Sequence, residues 1–360
     1  MPPAELLPGR IRWKLDDANA FSQANGGHVE NRLPTPKGWY AVATSADVSA
    51  GTVVTRRLGG EDILLFRTSS GEIATVGAYC AHLGAHMGHG GKVVDGTLQC
   101  PFHGYRYDHE GACVANGYGT APPAQAKLPI WPTRENGGFV LVYFGATEGG
   151  PGWEVPVLET EGWTDPAIAM LHLDTHPQET TENSVDIGHF TWVHGYASAK
   201  ATVPARTEGP YLGASYRIER SAGAFGRFGG TVAAEFDVHV WGLGYSLVEV
   251  HIPTMGLRVR SFVLPVPTDP GRITLRLGVS VAESSELGEV NPALRLIPRS
   301  LGLRAIQQMA LRGLLHDVNQ DVVIWQNKRY LERVAMSMGD GPIGLYRQWA
   351  KQFYPEGSRA

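Results

Sequence analysis

Cys80-Ala81-His82 and Cys100-Pro101-Phe102-His103, separated by seventeen residues, decide how this chain is read. Each stretch is short enough to occupy one loop, and the interval between them is long enough for a pair of strands and their turns. A two-iron cluster with mixed ligation needs this arrangement, with thiolates on one iron and imidazoles on the other. A zinc ion can also take two Cys and two His. Zinc fingers usually put both Cys on one side and both His on the other, whereas here each loop supplies one Cys followed by one His. Pro101, Gly84 and Gly104 suit loops that turn tightly against sulfur. His86 and His89 exceed what the cluster needs and read as loop or surface residues.

With 360 residues, 43% hydrophobic and 18% charged, the composition is that of a globular protein large enough for two domains. The balance of 31 Lys plus Arg against 35 Asp plus Glu offers no electrostatic reason to expect nucleic acid. The best apolar run, Phe139 to Phe144, is strand-sized, so no transmembrane segment is expected. The opening Met-Pro-Pro-Ala-Glu lacks the charged and apolar regions of a signal peptide. Of three Cys, two go to the cluster and Cys113 reads as a small buried hydrophobe. No disulfide framework is possible, which makes a cytoplasmic location the expectation.

Along the chain, residues 1–35 read as an N-terminal arm rich in Pro, Gly, Asn and charge. Residues 36–147 carry closely spaced strand-like runs with Gly-containing turns, an antiparallel small-sheet domain with the cluster on two adjacent loops. Glu148-Gly-Gly-Pro-Gly marks a linker, and residues 148–360 form a second domain. There, strand-like runs cover 168–173, 211–219, 231–241, 246–252, 257–263 and 272–281, and a sustained helical pattern covers 301–335. The fold class is therefore α+β, a twisted antiparallel sheet crossed by a long C-terminal helix, with room for a pocket between them. Phe225, Phe228, Trp241, Tyr245 and Met255 are the apolar residues expected along its walls. Ala222 to Gly230 is Gly-rich and reads as a loop.

A second stretch, Glu182 to His194, fits a helix running from about residue 178 to 194. At about 100° per residue, Asn183, Asp186, His189 and His194 fall within an arc of about 140° shared with Phe190 and Val193. Polar groups on such a face are costly unless they pair with one another or with a metal. The plain alternative is an amphipathic helix whose two His are satisfied core residues. Two nearby His also supply two corners of a facial triad, with a carboxylate completing a non-haem iron(II) site. Asp321 and Asp317 of the long helix are the two sources. Against the stripe Leu303, Ala310, Leu311, Leu314, Val318, Val322 and Trp325, Asp321 projects about 40° from the centre and Asp317 about 80°, which favours Asp321.

Together the two stretches resemble the oxygenase component of Rieske non-haem iron oxygenases, over nearly the whole chain from residue 36. Asn183-x-x-Asp186-x-x-His189-x-x-x-x-His194 is similar to that family's iron-binding pattern, and Gln320-Asp321-x-x-Ile324-Trp325-x-x-Lys328 to its third-ligand segment. Gly38-Trp39-Tyr40 and His176-Pro-Gln-Glu179 resemble the branch holding 3-ketosteroid 9α-hydroxylase oxygenases and cholesterol 7-desaturases. The resemblance implies a Rieske [2Fe–2S] domain followed by a helix-grip (START-like) catalytic domain. The cluster is then bound by Cys80, His82, Cys100 and His103, and a mononuclear Fe(II) by His189, His194 and Asp321. It implies a catalytic role for Asn183 and Asp186, the latter bridging a cluster histidine, His103, to His189 across the boundary of a head-to-tail homotrimer. No G-x-G-x-x-G lies at a strand-to-helix turn, so NAD(P)H is expected to serve through a separate reductase, with or without a ferredoxin. The implied activity is O₂-dependent hydroxylation of a small apolar, steroid-like or polycyclic substrate. Desaturation or oxidative cyclisation is the alternative outcome, and a Rieske electron carrier without catalytic iron the alternative class.

Overall fold

The computed structural model describes residues 33–147, 149–221 and 231–355. The first strands are β1 (Gly38–Thr44), β2 (Val53–Leu58), β3 (Glu61–Arg67), β4 (Ile73–Gly77), β5 (Lys92–Val94) and β6 (Thr97–Gln99). They continue as β7 (Arg106–Tyr107), β8 (Cys113–Ala115), β9 (Ile130–Trp131), β10 (Thr133–Asn136) and β11 (Phe139–Phe144). These form three small antiparallel sheets, ordered β1-β11-β10, β2-β3-β4-β9 and β5-β6-β7-β8. In β3 and β4 successive residues are buried on both faces, because one sheet face meets the cluster-side core and the other the β1/β11 sheet.

Beyond these lie β12 (Ala167–Leu173), β13 (Ser198–Glu208), β14 (Tyr211–Ser221), β15 (Thr231–Trp241), β16 (Tyr245–Ile252), β17 (Leu257–Asp269) and β18 (Arg272–Val281). They make one seven-stranded antiparallel sheet in the order β12-β18-β17-β16-β15-β14-β13. Four helices frame the metal-binding half of the molecule: α1 (Pro177–Glu182), α2 (Gly188–Trp192), α3 (Arg299–Asn327) and α4 (Ile343–Ala350). Helix α3 lays Leu303, Leu311, Val318, Val322 and Trp325 of the expected stripe, together with Ile306, against β12, β17 and β18. The α+β, helix-on-sheet architecture is the one expected.

Three local expectations need correction. The helix proposed for 178–194 is two short helices with a break at 183–187. The break has a cause. Ser184 and Val185 N–H groups bond back only three residues, to Thr181 and Glu182, and the Tyr216 hydroxyl takes the Ser184 carbonyl. Asp186 then turns its carboxylate onto the main-chain N–H groups of Gly188 and His189, competing with helix continuation and starting α2. Helix α3, expected over 301–335, ends at Asn327 because the Asn327 side chain donates to the Val323 carbonyl and Lys328 is extended. Trp241 and Tyr245 belong to a core with Trp39, Phe139 and Tyr143, on the sheet face away from α3. Val240, one residue from Trp241, lies on the opposite face, as strand alternation requires. Phe225, Phe228 and the 222–230 loop lie outside the described residues.

A charged tie positions the helices that carry the site. Lys328, at the end of α3, pairs with Glu179 and Glu182 of α1, and Arg347 of α4 grips Glu182 at 2.7 Å. Losing one partner of such a buried set strands the others and costs about 3–5 kcal/mol.

Candidate cluster and metal centre

The two Cys-His loops are built alike. Gly84 N–H donates to the Cys80 carbonyl at 2.9 Å and Gly104 N–H to the Cys100 carbonyl at 3.2 Å. Both glycines adopt positive φ, +74° and +67°, which lets each loop close after four residues. The loops bring together Cys80 and Cys100, both buried, and His82 and His103, whose rings lie 4.8 Å apart. His82 stacks on Tyr105 at 4.3 Å, and its Nδ1 is buried without a hydrogen-bond partner. Burial, and the Cys80 thiol beside it, push the Cys100 thiol above its ordinary pKa. Two buried thiols and an orphaned imidazole nitrogen are costly as they stand, and a [2Fe–2S] cluster satisfies them together. The donor set fits the group.

Tyr107 completes this site and was not singled out by sequence reasoning. Its hydroxyl accepts from Ala81 N–H at 3.1 Å and lies 3.1 Å from Cys80 Sγ, and toward a cluster-bound thiolate, which has no proton, it would be the donor. Hydrogen bonds to cluster sulfur are one of the ways a protein sets cluster potential. The signal was present in Tyr105-Arg106-Tyr107: a tyrosine buried by strand alternation needs a partner for its hydroxyl. His86 is paired with Asp62 at 3.4 Å and His89 is exposed, as expected of residues outside the cluster.

About the second stretch, the structure brings His189, His194 and Asp321 together. One ligand-capable atom from each lies within 4.8 Å of the others, the one such group of three among the described residues. The two imidazoles meet nearly edge to face, with ring centres 5.0 Å apart. Asp321 is 6% exposed, and its Oδ2 lies 3.5 Å from His194 Nε2. Burial raises the Asp321 carboxyl to about 7, the Asp317 charge adds to this, and a hydrogen bond from Asn183 opposes it. Burial, with His194 beside it, lowers His189 to about 4. Both shifts have burial as their largest cause and disfavour charge on Asp321 and on His189. Two neutral imidazoles and a carboxylate are the donor set of a facial iron(II) triad, and the residues fit that ion.

Asp317 is occupied otherwise. Arg220 holds it through two hydrogen bonds of 3.0 and 3.1 Å, and the Tyr196 hydroxyl donates to it at 2.9 Å. Of the two sequence candidates, Asp321 is the one beside the histidines. Asn183 caps the end of α1 and reaches Asp321. The Asp186 carboxylate lies 4.0 Å from His189 Nδ1; it is the main-chain carbonyl of Asp186 that accepts from that nitrogen. The Asp186 carboxylate, held by His189 N–H at 3.2 Å, is about one-third exposed, and burial raises its pKa.

Comparison with known proteins gives the family. The family described as Rieske [2Fe-2S] domain matches residues 38–132, and that described as 3-Ketosteroid 9alpha-hydroxylase C-terminal domain matches residues 142–354. A cholesterol 7-desaturase of Ciona intestinalis is 29% identical, over 96% of this chain and 74% of its own. The oxygenase component of a 3-ketosteroid-9-alpha-monooxygenase from Rhodococcus rhodochrous is 24% identical, over 88% of this chain and 83% of its own. Dicamba monooxygenase bound to dicamba shares the fold, with a TM-score of 0.66 at 20% identity over 90% of this chain and 98% of that one. Among the described residues no helix is long and apolar enough to cross a membrane. With a cluster-binding module, an iron-binding module and named oxygenases and desaturases as relatives, the chain belongs to the Rieske non-haem iron oxygenases, as an oxidoreductase with a C-terminal domain of the 3-ketosteroid 9α-hydroxylase family.

Proposed function

We propose that this protein oxidises an unactivated C–H position of a steroid-like, largely apolar molecule, using O₂ and electrons from a separate NAD(P)H-dependent reductase, with or without a ferredoxin. Cys80, Cys100, His82 and His103 hold the cluster, and His189, His194 and Asp321 hold the iron. Residues 36–147 serve as the cluster domain and 148–360 as the catalytic domain. The observation that carries the reading is the convergence of His189, His194 and Asp321 within 4.8 Å. When bound, the cluster supplies single electrons and the iron(II), with coordination positions left open, activates O₂. The chain disfavours charge on His189 by burial and holds the second carboxylate, Asp317, away with Arg220 and Tyr196.

The steroid class is supported by the relatives' names, and those names divide between monooxygenase and desaturase. Hydroxylation is the first reading and desaturation the second. A head-to-tail homotrimer is supported by two exposed apolar surfaces: Leu83, Phe102 and Tyr118 at the cluster loops, and Trp192, 85% exposed, on the helix that carries His189. Such surfaces on one chain suit a heterologous ring. A cytoplasmic location is supported by cysteine usage: with Cys80 and Cys100 given to the cluster, Cys113 is left single and no disulfide framework is possible.

A panel of sterols and 3-ketosteroids, incubated with ferredoxin, reductase and ¹⁸O₂, tests the reading. Hydroxylation places one labelled oxygen in the product; a product gaining a double bond and no label identifies desaturation. Turnover of other polycyclic compounds with none of any steroid would overturn the substrate class.

A further inference from the structure

His189 and His194 face one point but are oriented by different devices. His189 Nδ1 lies against the Asp186 main-chain carbonyl, which can only accept, so Nδ1 carries the proton and Nε2 keeps its lone pair. His194 meets a side chain in the corresponding place: Gln320 Oε1 lies 2.8 Å from His194 Nδ1. We infer that Gln320 is a positioning residue for the iron site. By accepting the Nδ1 proton of His194 it fixes the ring's plane and the tautomer whose Nε2 faces Asp321.

The direction of the Gln320 amide is set by its other neighbour. Gln320 Nε2 lies 3.3 Å from Nε2 of His316, one turn earlier on α3. An amide nitrogen only donates, so with His316 Nε2 unprotonated it serves His316 and leaves Oε1 for His194. The reverse orientation would set an NH₂ group against His194 Nδ1 and move that ring's proton to Nε2. There, 3.5 Å from Asp321 Oδ2, the proton would occupy the electron pair that a metal needs. Tyr196 and Arg220 both bond to Asp317, and Asn183 bonds to Asp321, so Gln320 is the residue found at His194 Nδ1. Gln320 and Asp321 are consecutive on α3. One segment of helix therefore supplies both a metal-binding carboxylate and the orienter of a histidine that comes from the α2 side.

The inference rests on His189, His194 and Asp321 being the iron site. Its test monitors Fe(II) loss from the purified holoprotein to a chelator, with the cluster's visible absorbance recorded in the same cuvette. The EPR signal of the nitric oxide adduct of the mononuclear iron is the spectroscopic signature. Outer partners of a metal-bound histidine are worth about 10- to 100-fold in metal affinity. Gln320→Leu is expected to weaken iron retention by that factor and alter the EPR signal, with the cluster spectrum unchanged. Gln320→Ala replaces it if the leucine variant does not fold. Gln320→Glu keeps an acceptor at Nδ1 and is expected to hold iron close to the wild-type level. Wild-type iron retention and an unchanged EPR signal in the leucine or alanine variant would overturn the inference, as would equal loss in the glutamate variant. A wild-type protein that binds iron only in its cluster would instead overturn the iron-site reading on which the inference depends.

Discussion

Asp321→Ala is expected to lose the mononuclear iron, keep the cluster's visible spectrum, and form product at least about 10³-fold more slowly, a barrier rise of about 4 kcal/mol. The expectation rests on place and charge together. Asp321 is the buried carboxylate beside His194, and Asp317, the other acid on that turn of α3, is held by Arg220 and Tyr196 and cannot move in without breaking both contacts. Full activity in the variant would sink the assignment and direct attention to Asp317. The same carboxyl gives a pH signature. Burial raises its pKa to about 7, so at pH 6 it is mostly protonated in the metal-free protein, and binding a cation must expel that proton. Iron(II) uptake is therefore expected to release close to one proton at pH 6 and much less at pH 8. Metal affinity should fall as pH drops below about 7. Identical proton release in the two buffers would contradict a raised Asp321.

Asp186→Ala has the second-largest expected effect, and its signature is different. Both metal centres should remain, because the Asp186 carboxylate lies 4.0 Å from His189 Nδ1 and the contact to that nitrogen is made by the main chain, which alanine keeps. Product formation should fall by on the order of 10²-fold, about 3 kcal/mol. The carboxylate is bonded to His189 N–H and partly exposed beside the iron-site helix, which leaves it open to a neighbouring copy in the proposed trimer. Rapid-mix reduction by the electron donor, then single-turnover product analysis, separates the cases. Cluster reduction at the normal rate with slow product formation is the result expected. Product formed at the wild-type rate would end the bridging role. The variant also loses the carboxylate that starts α2, so a circular dichroism check should accompany the rates.

The two Cys-His loops could be singled out in the sequence because their spacing is short-range: each Cys, its His and the next Gly lie within one turn of chain. The α3 stripe was legible for a similar reason, since one unbroken helix obeys one period. Periodicity failed at 183–187, where the contacts that stop the helix, from Tyr216 to Ser184 and from Asp186 onto α2, are tertiary or involve side chains competing with the backbone. His189 and His194 converge even so, because the chain turns after α2 and their meeting never depended on a shared helical face. Strand β13 escaped notice because it is an edge strand, mostly exposed, interrupted by Pro204 and irregular in register, so it lacks an alternating apolar pattern. Tyr107 went unremarked, and Gln320 was read only as part of the third-ligand segment, for a common reason. Each acts on a ligand through a hydrogen bond, and that geometry appears only once the chain is folded.

Iron and acid-labile sulfide per chain, determined together on protein purified without oxygen, test the central claim most directly. A cluster held by Cys80, His82, Cys100 and His103, with a separate iron at His189, His194 and Asp321, predicts about three irons and about two sulfides. About two irons with about two sulfides, unchanged after incubation with excess iron(II), would leave a cluster without a catalytic iron and contradict the account.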